Sequence, residues 1–246
     1  MKAYLINLDR SPERLADADA ELKSAGVSYE RVKATDARLL TEGDIIRNCS
    51  RLRFFLAQAR RVKIGEIACA LSHQSCWRRL VESGEVRAAV FEDDVAVDGT
   101  RFAEVTAMIA AEDDGVPRVW LLNHRNLVED PGIRASVRLV DTPHNVHTCW
   151  GTESYVLNRS AAELLLRLCH PVRYIADAWS TYARRGVDVR VVFPTPCGLR
   201  EVASEIERKA TGRAGWKWYL AFGRFKFRVA FHIDNLFYRI GELVKG

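Results

Sequence analysis

Apolar positions along the chain alternate between two periods, and each change of period marks a change of element. Residues 2–8 (KAYLINL) form a short apolar run of strand length. Ser11 and Pro12 then carry the signature of a helix start, an N-cap followed by proline at the first helical position. Leu15, Ala18, Leu22 and Ala25 follow at helical spacing, and Gly26 ends the pattern. Residues 27–34 (VSYERVKA) read as a second strand, so the chain opens as a β-α-β unit with a right-handed crossover. Residues 37–63 break the rhythm: they are rich in arginine and polar groups around a Phe54-Phe55-Leu56 patch, and read as an excursion with some helix. A helix is expected from Gly65 to about Ser83, with Ile67, Leu71 and Leu80 inward and Gly84 closing it. Strands are expected at 87–91 (RAAVF), 118–122 (RVWLL), 153–157 (ESYVL) and 187–193 (VDVRVVF), the last ending at Pro194. A helix capped by Ser160 is expected to run to about Leu168. Strands alternating with helices, without internal repeats, predict an α/β fold around a mainly parallel sheet flanked by helices.

Composition adds one feature to that picture. The 246 residues are 48% hydrophobic and 28% charged, ordinary for a soluble globular protein. The formal charge of +5 is unevenly spread. Residues 208–246 hold nine Lys/Arg against two acids and 9 of the 23 aromatics, leaving residues 1–207 with a net charge of −2. The organisation expected is a body at 1–207 and a basic, aromatic C-terminal segment at 208–246. Drawn as a helix over 216–244, that segment gathers Trp218, Phe222, Phe225, Val229 and Ile233 on one face, with Lys217, Arg224, Arg228 and Arg239 beside it. Aromatic and basic stripes side by side suit the surface of an anionic membrane; packing of the apolar face on the body is the other reading. No recognised nucleic-acid motif accompanies the charge, so nucleic acid is not an expected partner. The N-terminus has no apolar signal-peptide core, and no stretch reaches the ~18 apolar residues of a membrane-spanning helix. The six cysteines are scattered without a CxxC pair, which fits free buried thiols. A cytoplasmic protein held peripherally at the inner face of a membrane is the expectation.

Candidate chemistry concentrates at Glu92-Asp93-Asp94, where the strand ending in Val90-Phe91 stops abruptly. In open α/β sheets ligands bind beyond the carboxyl ends of strands. Three adjacent acids repel one another unless a cation or hydrogen-bond donors compensate, and hard oxygen ligands of this kind suit Mg²⁺ or Mn²⁺. On an extended chain Glu92 and Asp94 point to one side and Asp93 to the other. Glu92 and Asp94 are therefore the metal candidates. A solvated acidic turn is the competing reading.

The run Gly65-Glu66-Ile67-Ala68-Cys69-Ala70-Leu71-Ser72-His73, with Trp77 after it and Phe91-Glu92-Asp93-Asp94 about twenty residues on, resembles the signature of the family 25 glycosyltransferases. The opening YLINLDRSPERL with Arg14, Ala34-Thr35-Asp36-Ala37, Gly151-Thr152 with Tyr155, and Pro171 with Asp177 are similar to further family motifs. Pro194 with Ser204 and Ile206 extend the likeness to about residue 207. The family commonly has glycine where this chain has Ala68. The resemblance implies a GT-A fold, a Rossmann-like sheet that binds a nucleotide sugar beside an acidic, metal-holding motif. It implies inverting transfer of a hexose, most often galactose from UDP-galactose, to a lipooligosaccharide-type, lipid-linked glycan. On this reading Asn7, Arg14, Asp36, His73, Asp93, Gly151 and Thr152 face the donor, and Glu92 and Asp94 hold Mn²⁺ or Mg²⁺. Asp177 or Glu153 is the base that deprotonates the acceptor, a role inversion requires. Each has a plainer alternative: N-capping for Asp177, a place at the sheet edge for Glu153, a packed helical position for His73, a surface ion pair for Arg14 and a turn cap for Asp36. His144 and His147 are further ligand candidates. Two other functions use the same residues differently, a metal-dependent phosphoesterase and a non-catalytic, membrane-associated scaffold.

Overall fold

A computed structural model describes residues 1–112, 115–123, 138–141 and 150–200. The whole C-terminal segment at 208–246, Ser204, Ile206, His144 and His147 lie outside the described residues. The structure divides into two compact units: one built from residues 1–35, 71–168 and 176 onward, the other from residues 36–70 and 169–175 among those described.

The first unit carries the sheet. Strands β1 (Lys2–Asn7), β2 (Glu30–Lys33), β3 (Arg87–Glu92), β5 (Arg118–Leu121), β6 (Arg138–Asp141), β7 (Ser154–Asn158) and β8 (Asp188–Phe193) form one seven-stranded sheet in the order β2-β1-β3-β7-β5-β8-β6. A small ribbon pairs β4 (Val95–Val97) with β9 (Cys197–Leu199). The pairings β1–β2, β1–β3 and β5–β8 are parallel, whereas β7 lies antiparallel between β3 and β5, and β6 antiparallel on β8. Five of the seven strands thus share one direction, the mainly parallel α/β sheet that the chain's rhythm predicts. The direction of β7 was not legible in its sequence, because ESYVL is buried on both faces and carries no turn signal that fixes orientation.

Period-two alternation sorts the strand residues onto two faces. Ala3 and Leu5 of β1, Ala89 and Phe91 of β3, Trp120 of β5 and Val156 of β7 join one core with Ala18 and Leu22 of helix α1 (Pro12–Ser24) and Phe102, Val105 and Ile109 of helix α5 (Gly99–Ala110). The opposite face presents Tyr155, which meets Trp77 of helix α4 (Ile64–Ser83) and Trp179 of helix α7 (Trp179–Arg184). Helix α1 starts where Pro12 predicts and stops before Gly26, whose φ of +71° supplies the left-handed turn. Ser11 occupies the N-cap position without a side-chain capping bond. Helix α6 (Arg159–Cys169) starts two residues earlier than a cap at Ser160 would place it. Its start is held by Asn158, which accepts from the Ala161 N–H at 2.9 Å, and not by Ser160. Helix α5 and the ribbon strands were not expected from the sequence; three-residue strands are too short to show a period.

The second unit contains helices α2 (Glu42–Asn48) and α3 (Arg51–Gln58) and the first turns of α4. Thr41 caps α2 through a capping box with Asp44.

Candidate active site

The site is assembled where β1 and β3 end and the antiparallel β7 begins. Parallel register sets Leu5 against Phe91 and Ile6 against Glu92, so Asn7 and Asp93 come next to each other on the α1 face. Asn7 Nδ2 donates to Asp93 Oδ2 at 2.7 Å. Arg14, in the first turns of α1, ion-pairs with the other Asp93 oxygen. Arg31 of β2 in turn donates to Asn7 Oδ1 at 3.0 Å and fixes the amide. Asp93 is therefore buried and fully engaged, an anchor of the turn.

Glu92 falls on the opposite face, as the alternation predicts. Its Oε1 accepts from Thr152 Oγ1 at 2.5 Å and lies 3.2 Å from His73 Nε2. His73 Nδ1 lies 3.0 Å from the Tyr155 hydroxyl, which also accepts from Trp77 Nε1 at 2.9 Å. Indole N–H is only a donor. The chain of partners is satisfied when Tyr155 donates to Nδ1 and His73 carries its proton on Nε2, pointing at Glu92. His73 is 1% exposed, so this line of groups is a buried brace behind the carboxylate.

Asp94 departs from simple alternation. The chain turns after Glu92, and Asp94 Oδ2 lies 3.5 Å from the same Arg14 guanidinium. Burial first, then the charge of Glu92, push its carboxyl up to about 6, against the pull of Arg14. Asp94 Oδ1 is buried without a hydrogen-bond partner among the described residues. A buried carboxylate oxygen left unpaired is costly, and a divalent cation is one partner that would satisfy it.

Residues 151–153 form a strap at this edge. Gly151 adopts φ +104°, and a Cβ there would collide with the Glu153 carboxylate. Its N–H donates to Asp177 Oδ2 at 3.1 Å and its carbonyl accepts from Trp179 Nε1 at 2.8 Å. Glu153 is buried, and its backbone carbonyl accepts from the Glu92 N–H at 2.9 Å. Burial raises the Asp177 carboxyl above the ordinary carboxylate range, partly offset by the Gly151 N–H. Asp177 does not cap a helix: α7 begins two residues later with Ala178 at its N-cap.

Of the residues singled out from sequence, Asn7, Arg14, Asp93 and Asp94 form one linked group, and His73, Glu92 and Thr152 another; the strap links Gly151 with Asp177. Asp36 belongs to the second unit, where its Oδ1 accepts from the Arg38 N–H at 2.9 Å and closes a turn, matching its plainer reading. Two residues escaped sequence reasoning. Arg31 looks like any polar strand residue. Arg200 follows β9 and clamps the acidic turn, its N–H donating to the Asp94 carbonyl at 2.8 Å and Nη2 to the Asp93 carbonyl at 2.7 Å. No local signal reports a contact across 107 positions.

Known proteins show the same affinity. A glycosyltransferase 25 family member of Aedes aegypti is 33% identical over 97 residues, covering 37% of this chain and 16% of that protein, and the human inactive glycosyltransferase 25 family member 3 is 35% identical over 98 residues, 38% and 16% of the two chains. The matched stretch thus spans under a fifth of those relatives. The lacto-N-neotetraose biosynthesis glycosyltransferase LgtE of Neisseria meningitidis is 26% identical over 214 residues, covering 80% of this chain and 73% of that protein. Among solved structures, the galactosyltransferase LgtC in complex with donor and acceptor sugar analogs aligns with a TM-score of 0.42 at 9% identity, covering 94% of this chain and 95% of that one. Residues 1–179, a span that takes in the acidic turn, the strap and Asp177, match the model of glycosyltransferase family 25 (LPS biosynthesis protein), and the chain belongs to that family.

Proposed function

We propose that this protein is an inverting, GT-A-type hexosyltransferase that moves galactose from UDP-galactose onto a lipooligosaccharide-type, lipid-linked glycan. The observation that carries this reading is the built acidic turn: Glu92, Asp93 and Asp94 are held by Asn7, Arg14, Thr152 and Arg200, contributed by four other parts of the chain. A merely solvated acidic loop needs no such scaffold. Asp94, with its unpaired buried oxygen, and Glu92 would hold Mn²⁺ or Mg²⁺. Such an ion supplies positive charge against the diphosphate as it leaves. Asn7 and Arg14 keep Asp93 in place beside the donor. Thr152 and the His73–Tyr155–Trp77 line orient the Glu92 carboxylate.

Asp177 is our base, with Glu153 the alternative. A base for a sugar hydroxyl works best with a pKa moved toward the working pH, and burial moves Asp177 in that direction. The anionic membrane surface, reached through 216–244, is where a lipid-linked acceptor would be met. Among the described residues no helix is long and apolar enough to cross a membrane.

The test is a donor screen that reads UDP release with and without Mn²⁺, against a panel of glycolipid acceptors. Acceptor-dependent UDP release from UDP-galactose is expected. Acceptor-independent phosphate release would instead favour a phosphoesterase. Relatives named inactive give a second reading, a non-catalytic family member; an Asp94→Asn variant with the parent's turnover would support it.

A further inference from the structure

We infer that helices α2 and α3 of the second unit form a membrane-docking surface for anionic lipid. Helix α3 places its large apolar groups on both sides. Phe54 and Ala57, three residues apart, are buried at 0% and 8% exposure. Leu52 and Phe55, also three apart, face the other way and are 70% and 50% exposed. At 100° per residue Arg51 borders Phe55, while Arg53, also exposed, falls on the far side of Leu52 toward Ala57. An ordinary surface helix turns its polar face to water. This one turns an apolar pair to solvent with Arg51 at its edge and Arg53 exposed on the same helix, groups that suit a lipid interface with its cations among the headgroups.

The neighbouring segments repeat the pattern. In α2, Ile45 is buried while Ile46 is 68% exposed beside exposed Arg47. Leu39 and Ile64, which precede and follow the two helices in the sequence, are also exposed. Five of the ten large apolar side chains exposed among the described residues lie in 36–70, a stretch with seven Lys/Arg against four Asp/Glu. Isolated exposed apolar residues are common, whereas neighbouring ones such as Leu52 and Phe55 on one helix face suit an interaction surface. Charge selects its partner. Arg51 pairs with Glu42, Arg60 with Glu66 and Arg47 with Asp44. Arg53 and Arg61 have no acidic partner among the described residues, so the surface carries uncompensated positive charge suited to anionic headgroups.

Full-length protein is mixed with vesicles of phosphatidylcholine alone or with 30% phosphatidylglycerol, and partitioning is read by co-sedimentation. Amide exchange is followed in peptides covering 51–58. Binding to the anionic vesicles, slowed exchange across 51–58 on binding, and an at least tenfold fall in partitioning for Leu52→Glu/Phe55→Glu are expected. Arg53→Glu/Arg61→Glu is expected to lower partitioning on anionic vesicles alone. These four side chains are exposed, so both variants should melt with the parent. Parent-like partitioning of Leu52→Glu/Phe55→Glu, or unchanged exchange in 51–58 of the bound parent, overturns the inference and leaves binding to other segments. Concentration-dependent self-association that protects 51–58 without vesicles overturns it too, in favour of a second copy of the chain. None of these readouts uses sugar transfer, so a failure here is distinct from a failure of the proposed activity.

Discussion

Asp94 offers a sharp test, because its charge is useful only if something other than the fold needs it. Its carboxyl is partly buried beside Glu92 and Asp93 and ionises at about 6 in place of its ordinary 3.8. The unfolded chain therefore releases this proton before the native state does. Below pH 3.8 both states hold it and there is no cost. Between 3.8 and about 6 the unfolded state binds fewer protons, so native stability falls as pH rises; above that the loss is complete. At about 1.4 kcal/mol per pH unit, the cost reaches roughly 1.5 kcal/mol at pH 5 and roughly 3 kcal/mol at pH 7.5. Asp94→Asn removes the charge with almost no change of shape. In metal-free buffer with EDTA the variant should be more stable than the parent at pH 7.5, by roughly 6–12 °C in melting temperature for a chain of this size. The advantage should be about half as large at pH 5. The same variant should lose most of its transferase activity. Melting curves at the two pH values, with circular dichroism to confirm the fold, decide the matter. A variant no more stable than the parent at pH 7.5, or an advantage that does not grow with pH, would refute the placement of Asp94 as a strained, buried charge.

Other expectations are more local. Tyr155→Phe removes the hydroxyl that Trp77 and His73 share, and should cost about 1–3 kcal/mol in urea unfolding because the buried indole N–H loses its partner. Gly151→Ala should cost at least about 1 kcal/mol and lower activity, since its φ of +104° and the adjacent Glu153 carboxylate leave no place for a Cβ; a parent-like melting curve would show that the strap is not as tight as drawn. Asp177→Asn should lower turnover by roughly 10²–10⁴-fold with little change in donor KM, if Asp177 is the base; a parent-like turnover would pass that role to Glu153. Arg118→Ala should destabilise by about 1.5–3 kcal/mol, because Asp188 loses its charge-assisted bond to this buried cation at 2.6 Å and keeps only Arg190 at 3.1 Å.

The sequence by itself determined what short-range physics can encode. Proline at the first helical position and glycine after the last turn set α1. Period-two alternation sent Glu92 and Asp93 to opposite faces of the sheet, and the abrupt end of an apolar strand marked the acidic turn. Motif likeness located the family and the strap at Gly151-Thr152. Tertiary structure decided everything that depends on which strands lie side by side. Asn7 meets Asp93 across 86 positions because β1 and β3 pair in parallel register. Thr152 meets Glu92 across 60 because β7 inserts antiparallel beside β3. Asp94 comes within 3.5 Å of Arg14 because the chain turns after Glu92, whose charge still acts on it. The exposed apolar face of α3 was also out of reach of periodicity, which finds apolar positions on both sides of that helix but not the side the fold covers. Local periods fix where a side chain points along its own strand or helix; packing between distant segments fixes what it points at.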